Sequence, residues 1–187
     1  KPPQAIEKGL PGPGLLAHVI TSKYCDHLPL SRQEGILARH GVALSRSTLC
    51  DWMMSSAELL EPLVRSMQKQ VLLGSLIHTD DTGVPVQARG KTHRAHLWVY
   101  VGDGDHPYIL YDFTWTRGRE GPEAFLKDYA GYLQADAFAG YDRLYANGKI
   151  VEVGCWAHAR RHFFEAKGSD PVRAHEALAR IGELYKI

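Results

Sequence analysis

Two aspartates, each directly after a short apolar segment, are the residues best placed for chemistry. Asp80 follows Leu76–Thr79, and Asp136 follows Gly131–Ala135. Carboxylate oxygens are the ligands that Mg²⁺ and Mn²⁺ prefer. If the two segments are neighbouring strands, the carboxylates converge, and such a metal site activates and stabilises oxygens in phosphodiester chemistry. Aspartate is also common in turns, so the pattern alone is a weak signal that ordinary turn residues also give.

Asp81 competes with Asp80 for the same role. Adjacent side chains in a strand point to opposite faces, so we expect only one of the two on the metal-binding face. Two adjacent negative charges repel each other, and a cation beside them compensates that repulsion. This favours a divalent ion next to Asp80 and Asp81.

Two groups of basic residues are candidate phosphate contacts. Lys91, Arg94, Arg117 and Arg119 surround an expected hairpin tip at Gly90 and the loop after the third strand, and Arg160 and Arg161 follow the Cys155-x-x-His158 spacing. Arginine suits phosphate, but both groups also fit a solvated surface. The Cys155-x-x-His158 spacing could belong to a zinc site, but the sequence does not supply the further ligands that zinc needs. His158 is therefore kept only as a secondary candidate near the site.

The segment 15–73 has the pattern of helices. A capping box at Ser31 opens one helix, Gly41 ends it, and Ser45 opens the next. A helix, a glycine turn and a capped second helix are typical of a DNA-binding helix-turn-helix, with Arg46 as a candidate DNA contact. The same spacing fits an ordinary helical hairpin.

The chain divides into three expected regions. Residues 1–14 are rich in proline and glycine and are interpreted as a linker or arm. Residues 15–73 form the helical, helix-turn-helix-like region, which ends in an amphipathic connector helix at 57–73. Residues 74–187 form the catalytic core.

The core has the pattern of a mixed sheet. Expected strands lie at 76–80, 96–101, 108–113, 131–136 and 150–155. The first three have short connections, which indicates an antiparallel meander, and helices separate the others. The order βββαβαβα predicts an α/β fold, a ribonuclease-H-like mixed sheet in which the first and fourth strands are neighbours.

Composition narrows the function classes only slightly. The 187 residues are 44% hydrophobic and 23% charged, and the formal net charge of +1 points to no particular partner. No apolar run is long enough to cross a membrane, and there is no signal-peptide pattern. Three widely spaced cysteines favour a reducing cytosol over a disulfide framework.

Six segments taken together give a more specific indication. In chain order they are SKYCDHLPLSRQE (22–34), SRSTLCDW (45–52), IHTDDT (77–82), LWVY (97–100), YLQADAFAGYD (132–142) and GCWAHARRHFF (154–164). As a set they resemble the DDE transposases of the insertion-sequence-66 group. The resemblance covers nearly the whole chain.

The resemblance implies a bacterial, cytoplasmic and nucleoid-associated transposase with two-metal Mg²⁺ (or Mn²⁺) chemistry. It places the first catalytic acid on Asp80, with Asp81 as its neighbour, and the second on Asp136. The implied partner is DNA, both transposon ends and target, with no membrane. Association of the chain into a homo-oligomer is a further possibility that the sequence leaves open.

The third acid of the family is a glutamate on a later helix, and the chain resembles a transposase truncated before it. Glu176 and Glu183 lie at comparable distances along the chain but outside the family motif. We therefore expect little activity from this chain alone. Two alternatives are a non-catalytic DNA-binding remnant acting through 30–56, and a Mg²⁺-dependent nuclease completed by Glu176 or Glu183.

Overall fold

The computed structural model describes residues 4–6, 9–146 and 148–186. The linker predicted for residues 1–14 therefore lies partly outside the described residues. Its last two residues, Pro13 and Gly14, already belong to helix α1. The chain divides into two compact units, residues 1–66 and 67–187.

The first unit is helical, as predicted. It contains α1 (Pro13–Tyr24), α2 (Leu30–Arg39) and the first part of α3 (Arg46–Leu73). Its core consists of Leu16, Val19, Leu30, Leu49 and Trp52. Leu16 and Val19 of α1, like Leu49 and Trp52 of α3, are three residues apart, so each of these two helices buries an apolar stripe.

The predicted capping box at Ser31 is wrong. Helix α2 begins at Leu30, whose side chain is buried in the core, and Pro29 is its N-cap residue. The Glu34 carboxylate accepts a hydrogen bond from the Arg46 N–H instead, at 3.2 Å. Burial of Leu30 therefore decides where this helix begins.

The two helices predicted after Ser45 are one continuous helix, α3. The Ser45 hydroxyl accepts a hydrogen bond from the Thr48 N–H at 3.1 Å, so the expected cap is present. No glycine or proline lies between Met53 and Ala57, and nothing in that segment interrupts helical hydrogen bonding.

The second unit is a five-stranded mixed sheet with helices, which confirms the predicted ribonuclease-H-like fold class. Its elements are β1 (Leu76–Ala88), β2 (Lys91–Val101), β3 (Ile109–Thr114), α4 (Glu120–Phe125), β4 (Gly131–Ala135), α5 (Asp142–Tyr145), β5 (Ile150–Gly154), α6 (Trp156–Glu165) and α7 (Pro171–Leu184). The strand order is β3-β2-β1-β4-β5. Strands β1, β2 and β3 pair antiparallel, whereas β1 with β4 and β4 with β5 pair parallel.

Strand β1 is longer than predicted. It does not end at Asp80 but continues to Ala88, because antiparallel pairing with β2 extends through Val84 opposite Ala95 to the end of the hairpin. Gly90 forms the tip of the hairpin with a φ of 74°. That left-handed conformation suits glycine.

One face of this sheet carries the main core. Ile77, Trp98, Tyr100, Leu133 and Tyr141 are among its fully buried side chains. The Trp98 indole donates a hydrogen bond to the Thr114 hydroxyl at 2.7 Å. Residues that alternate with Ile77 along β1 share this inward face, so the core also determines which way the acidic residues of β1 point.

Candidate metal centre

Three carboxylates meet where β1 and β4 stop pairing with each other. The last parallel pair is His78 with Gln134, and Asp80 and Asp136 each come two residues later. One oxygen from each of Asp80, Asp81 and Asp136 lies within 4.8 Å of the others. Over residues 4–6, 9–146 and 148–186, this is the one group of three or more potential ligands so arranged.

Asp81 is the innermost of the three acids. Its side chain is 4% exposed and lies 2.7 Å from Nδ1 of His96. Asp81 lies on the core face of β1, as the pleat requires, and Asp80 on the other face. The oxygens of Asp80 and Asp81 nevertheless lie within 4.8 Å of each other. Both side chains could therefore contact a single ion, although they point to opposite faces of the strand.

Asp80 is the most accessible of the three acids, with a side chain 52% exposed. One of its oxygens accepts a hydrogen bond from the Asp81 N–H at 2.8 Å. The other lies 3.7 Å from Nε2 of His158, in the first turn of α6. The structure therefore brings the secondary candidate His158 beside Asp80.

Arg117 is the cation of the site. Its guanidinium hydrogen-bonds Asp81 from Nε at 2.9 and 3.1 Å and Asp136 from Nη2 at 3.0 Å. It also lies 4.2 Å above the ring of Phe138. The hydrogen bond to Asp81 is the main reason that the pKa of Arg117 is raised. The sequence indicated Arg117 only as a DNA contact and gave no sign of these ion pairs, nor of the part played by His96.

The other basic candidates lie on exposed parts of the chain. Lys91, Arg94, Arg119, Arg160 and Arg161 are exposed, as is Arg46 of the first unit. Arg94 lines a cavity of about 480 Å³ with Asp81, His96 and Arg117. Nε of Arg119 lies 3.9 Å from Glu123.

Neither glutamate candidate belongs to the carboxylate cluster. Glu176 forms an ion pair with Arg180 of the same helix at 2.6 Å, and Glu183 is an exposed residue of α7. Although Glu176 and Glu183 follow Asp136 at a suitable distance along the chain, neither supplies a further acid to the cluster.

The donor set fits a hard divalent cation. It offers carboxylate oxygens from three residues at the end of the parallel pairing of β1 with β4. The guanidinium between Asp81 and Asp136 shows that the cluster already attracts positive charge. His158 adds a ring nitrogen, Nδ1, that is buried and finds no hydrogen-bond partner among the described residues.

The sheet order and the acids at the ends of the β1–β4 pairing define a ribonuclease-H-like α/β protein. The chain belongs to the transposase IS66 family, whose model matches residues 8–187.

Similar curated proteins come from Sinorhizobium fredii, and their names assign no function. Uncharacterized protein y4qI is 36% identical over 203 residues, covering 100% of this chain and 38% of y4qI. Uncharacterized proteins y4hP and y4jD are 34% and 30% identical, with 38% and 39% of their lengths covered. The chain thus spans less than half of these relatives. Over its described residues, no helix has the length and apolarity needed to cross a bilayer.

Proposed function

We propose that this chain carries the metal-binding part of a transposase core that cleaves DNA strands and transfers them to a target. The observation that carries the proposal is the approach of the Asp80, Asp81 and Asp136 oxygens within 4.8 Å in a chain of the IS66 family. Phosphoryl transfer depends on positioning and on compensating negative charge, and a carboxylate cluster that holds cations serves both needs.

Asp80 and Asp136 hold the metal, Mg²⁺ or Mn²⁺, in this proposal. Such an ion, when bound, activates an oxygen nucleophile and compensates charge on the leaving oxygen. Asp81 is engaged in hydrogen bonds with Arg117 and His96, so it shapes the site more than it binds the ion. His158 lies beside Asp80, with Nε2 3.7 Å from a carboxylate oxygen, and would contribute to the polar surroundings of the ion.

DNA is the proposed partner, as transposon ends and as target. Lys91, Arg94, Arg119, Arg160 and Arg161 are exposed cations of the unit that holds the acids, and they would contact phosphates. Such contacts give sequence-independent affinity that falls with salt. They would position the strand and leave sequence selection to other residues.

Fe²⁺-directed cleavage tests this function without requiring turnover. Fe²⁺ replaces Mg²⁺ at carboxylate sites and, with ascorbate and peroxide, cuts nearby polypeptide and DNA backbone. We expect protein cuts near Asp80 and Asp136, competition by Mg²⁺, and loss of cutting in the variant Asp80→Asn/Asp136→Asn. Unchanged cutting in that variant would refute the proposal. Asp128→Asn, an exposed acid outside the cluster, is the matched control.

A DNA-binding role of the first unit is a second candidate function. Helix α2 is followed by Gly41 with a φ of 78° and by the Ser45 cap, and Arg46 opens α3 with an exposed side chain. This is the arrangement that a helix-turn-helix uses to present the start of its second helix. If this is the whole function, Arg46→Ala weakens DNA binding while Asp80→Asn leaves both DNA binding and its response to divalent ions unchanged.

A further inference from the structure

A cavity of about 880 Å³ opens beside the carboxylate cluster in the second unit. Its wall includes Asp136 of the cluster, together with Arg117 and His158, which lie beside the acids. The volume falls in the range of small-molecule sites, roughly 300–1,000 Å³. A group bound in the cavity would therefore lie directly against the acids.

Two aromatic residues give the cavity its apolar character. Phe138 is fixed, because its ring packs against Trp98 and Tyr141 with centroids 6.2 and 5.8 Å away. Trp156 opens α6 and is 51% exposed, although it is a large apolar side chain in a cavity wall. An accessible indole and a fixed ring in the wall of one cavity favour a planar π-system as the ligand.

The remaining lining supplies polar groups near these rings. Glu152 offers acceptors, and His158 and His162 offer ring nitrogens that donate or accept. Nδ1 of His158 is buried and unpartnered within the described residues. A ligand that combines a flat face with donors and acceptors along its edge matches this lining, and nucleobases have both.

We propose that the cavity receives one unpaired nucleobase of the DNA strand whose phosphate lies at the carboxylates. Trp156 stacks on the base. The identity of the ligand rests on the proposed function, while the shape and chemistry of the cavity do not. A base inside a duplex has both faces covered by its neighbours, so the site selects single-stranded or flipped-out nucleotides.

The test compares two single strands of equal charge. One is a fluorescein-labelled 12-mer of thymidine, and the other is the same 12-mer with abasic residues throughout. Binding to the full chain is measured by anisotropy in EDTA. We expect Trp156→Ala to bind the thymidine strand about tenfold more weakly, the loss of one base–aromatic stack, and to bind the abasic strand like wild type.

Two further variants separate stacking from general damage. Trp156→Phe keeps a ring and should retain most of the affinity. Tyr185→Ala removes an aromatic side chain that is 60% exposed and lies outside the cavity, and it should change nothing. Wild-type protein that binds both strands equally would overturn the proposal. So would a Trp156→Ala loss that is equal on both strands.

This experiment and the Fe²⁺ experiment fail independently. Stacking needs no metal, so base-dependent affinity that depends on Trp156 keeps the cavity assignment even if the acids bind no Fe²⁺. In the opposite case, Fe²⁺ cuts normally but the protein binds the thymidine and abasic strands equally. That result would contradict only the assignment of the cavity.

Discussion

Arg117 donates hydrogen bonds from its Nε to both carboxylate oxygens of Asp81, at 2.9 and 3.1 Å. The same guanidinium reaches Asp136 at 3.0 Å. A cation supplied by the protein therefore sits among acids that we propose hold a metal ion. This makes Arg117 a competitor for the negative charge of the cluster.

Arg117→Ala should bind Mn²⁺ more tightly than wild type. Two charges about 4 Å apart interact by about 4 kcal/mol at an effective dielectric of ~20. The Arg117 side chain is 41% exposed, so solvent screening leaves roughly 1 kcal/mol, or about fivefold in Kd. Electron paramagnetic resonance of free Mn²⁺ measures the change.

Arg117→Lys is the control for this substitution, since it keeps the charge and should stay near the wild-type affinity. Weaker Mn²⁺ binding by Arg117→Ala would contradict the competitor role. It would mean instead that Arg117 holds Asp81 and Asp136 in the geometry that binds the ion.

Arg46→Ala should weaken DNA binding to the same extent for every sequence tested. A single phosphate contact contributes about one unit to the slope of log K against log salt, and the variant should lose about that much. Filter binding between about 50 and 200 mM salt gives the slope. Arg39→Ala, an exposed arginine at the end of α2, is the matched control. An unchanged slope for Arg46→Ala would exclude Arg46 as a phosphate contact.

Asp103 should make stability depend on pH in the acid range. His106 Nδ1 lies 2.9 Å from its carboxylate, and the Ser75 N–H donates to it at 2.7 Å. These contacts hold the pKa of Asp103 well below its ordinary value of 3.8. Because the folded-state pKa is the lower one, the stabilisation is complete above about pH 4 and is lost as pH falls below it.

Urea unfolding of Asp103→Asn and wild type at pH 7 and pH 3 tests this linkage. The variant should have a lower free energy of unfolding than wild type at pH 7, and this gap between the two proteins should narrow at pH 3. Asp105→Asn in the same loop should show no such change in the gap. A gap that is constant with pH would contradict the role of Asp103.

The sequence was sufficient for the antiparallel meander of β1 to β3 and, through the ribonuclease-H-like strand order, for β1 beside β4, which brings Asp80 and Asp136 together. Both follow from alternating apolar segments and from the short or helical connections between them. The length of β1 was not predictable in this way, because pairing with β2 extends it beyond Asp80. The contacts of Arg117 were not predictable either, because they join residues from three segments that only the folded sheet brings together.

Mn²⁺ titration of Asp80→Asn/Asp136→Asn against wild type measures whether these two acids hold the metal ion. Electron paramagnetic resonance of the free ion reports binding whether or not the chain turns over DNA. We expect wild type to bind Mn²⁺ and the double variant to lose at least tenfold in affinity, roughly 1.4 kcal/mol, while Asp128→Asn binds like wild type. Equal Mn²⁺ affinity in wild type and the double variant would contradict a metal centre at these acids.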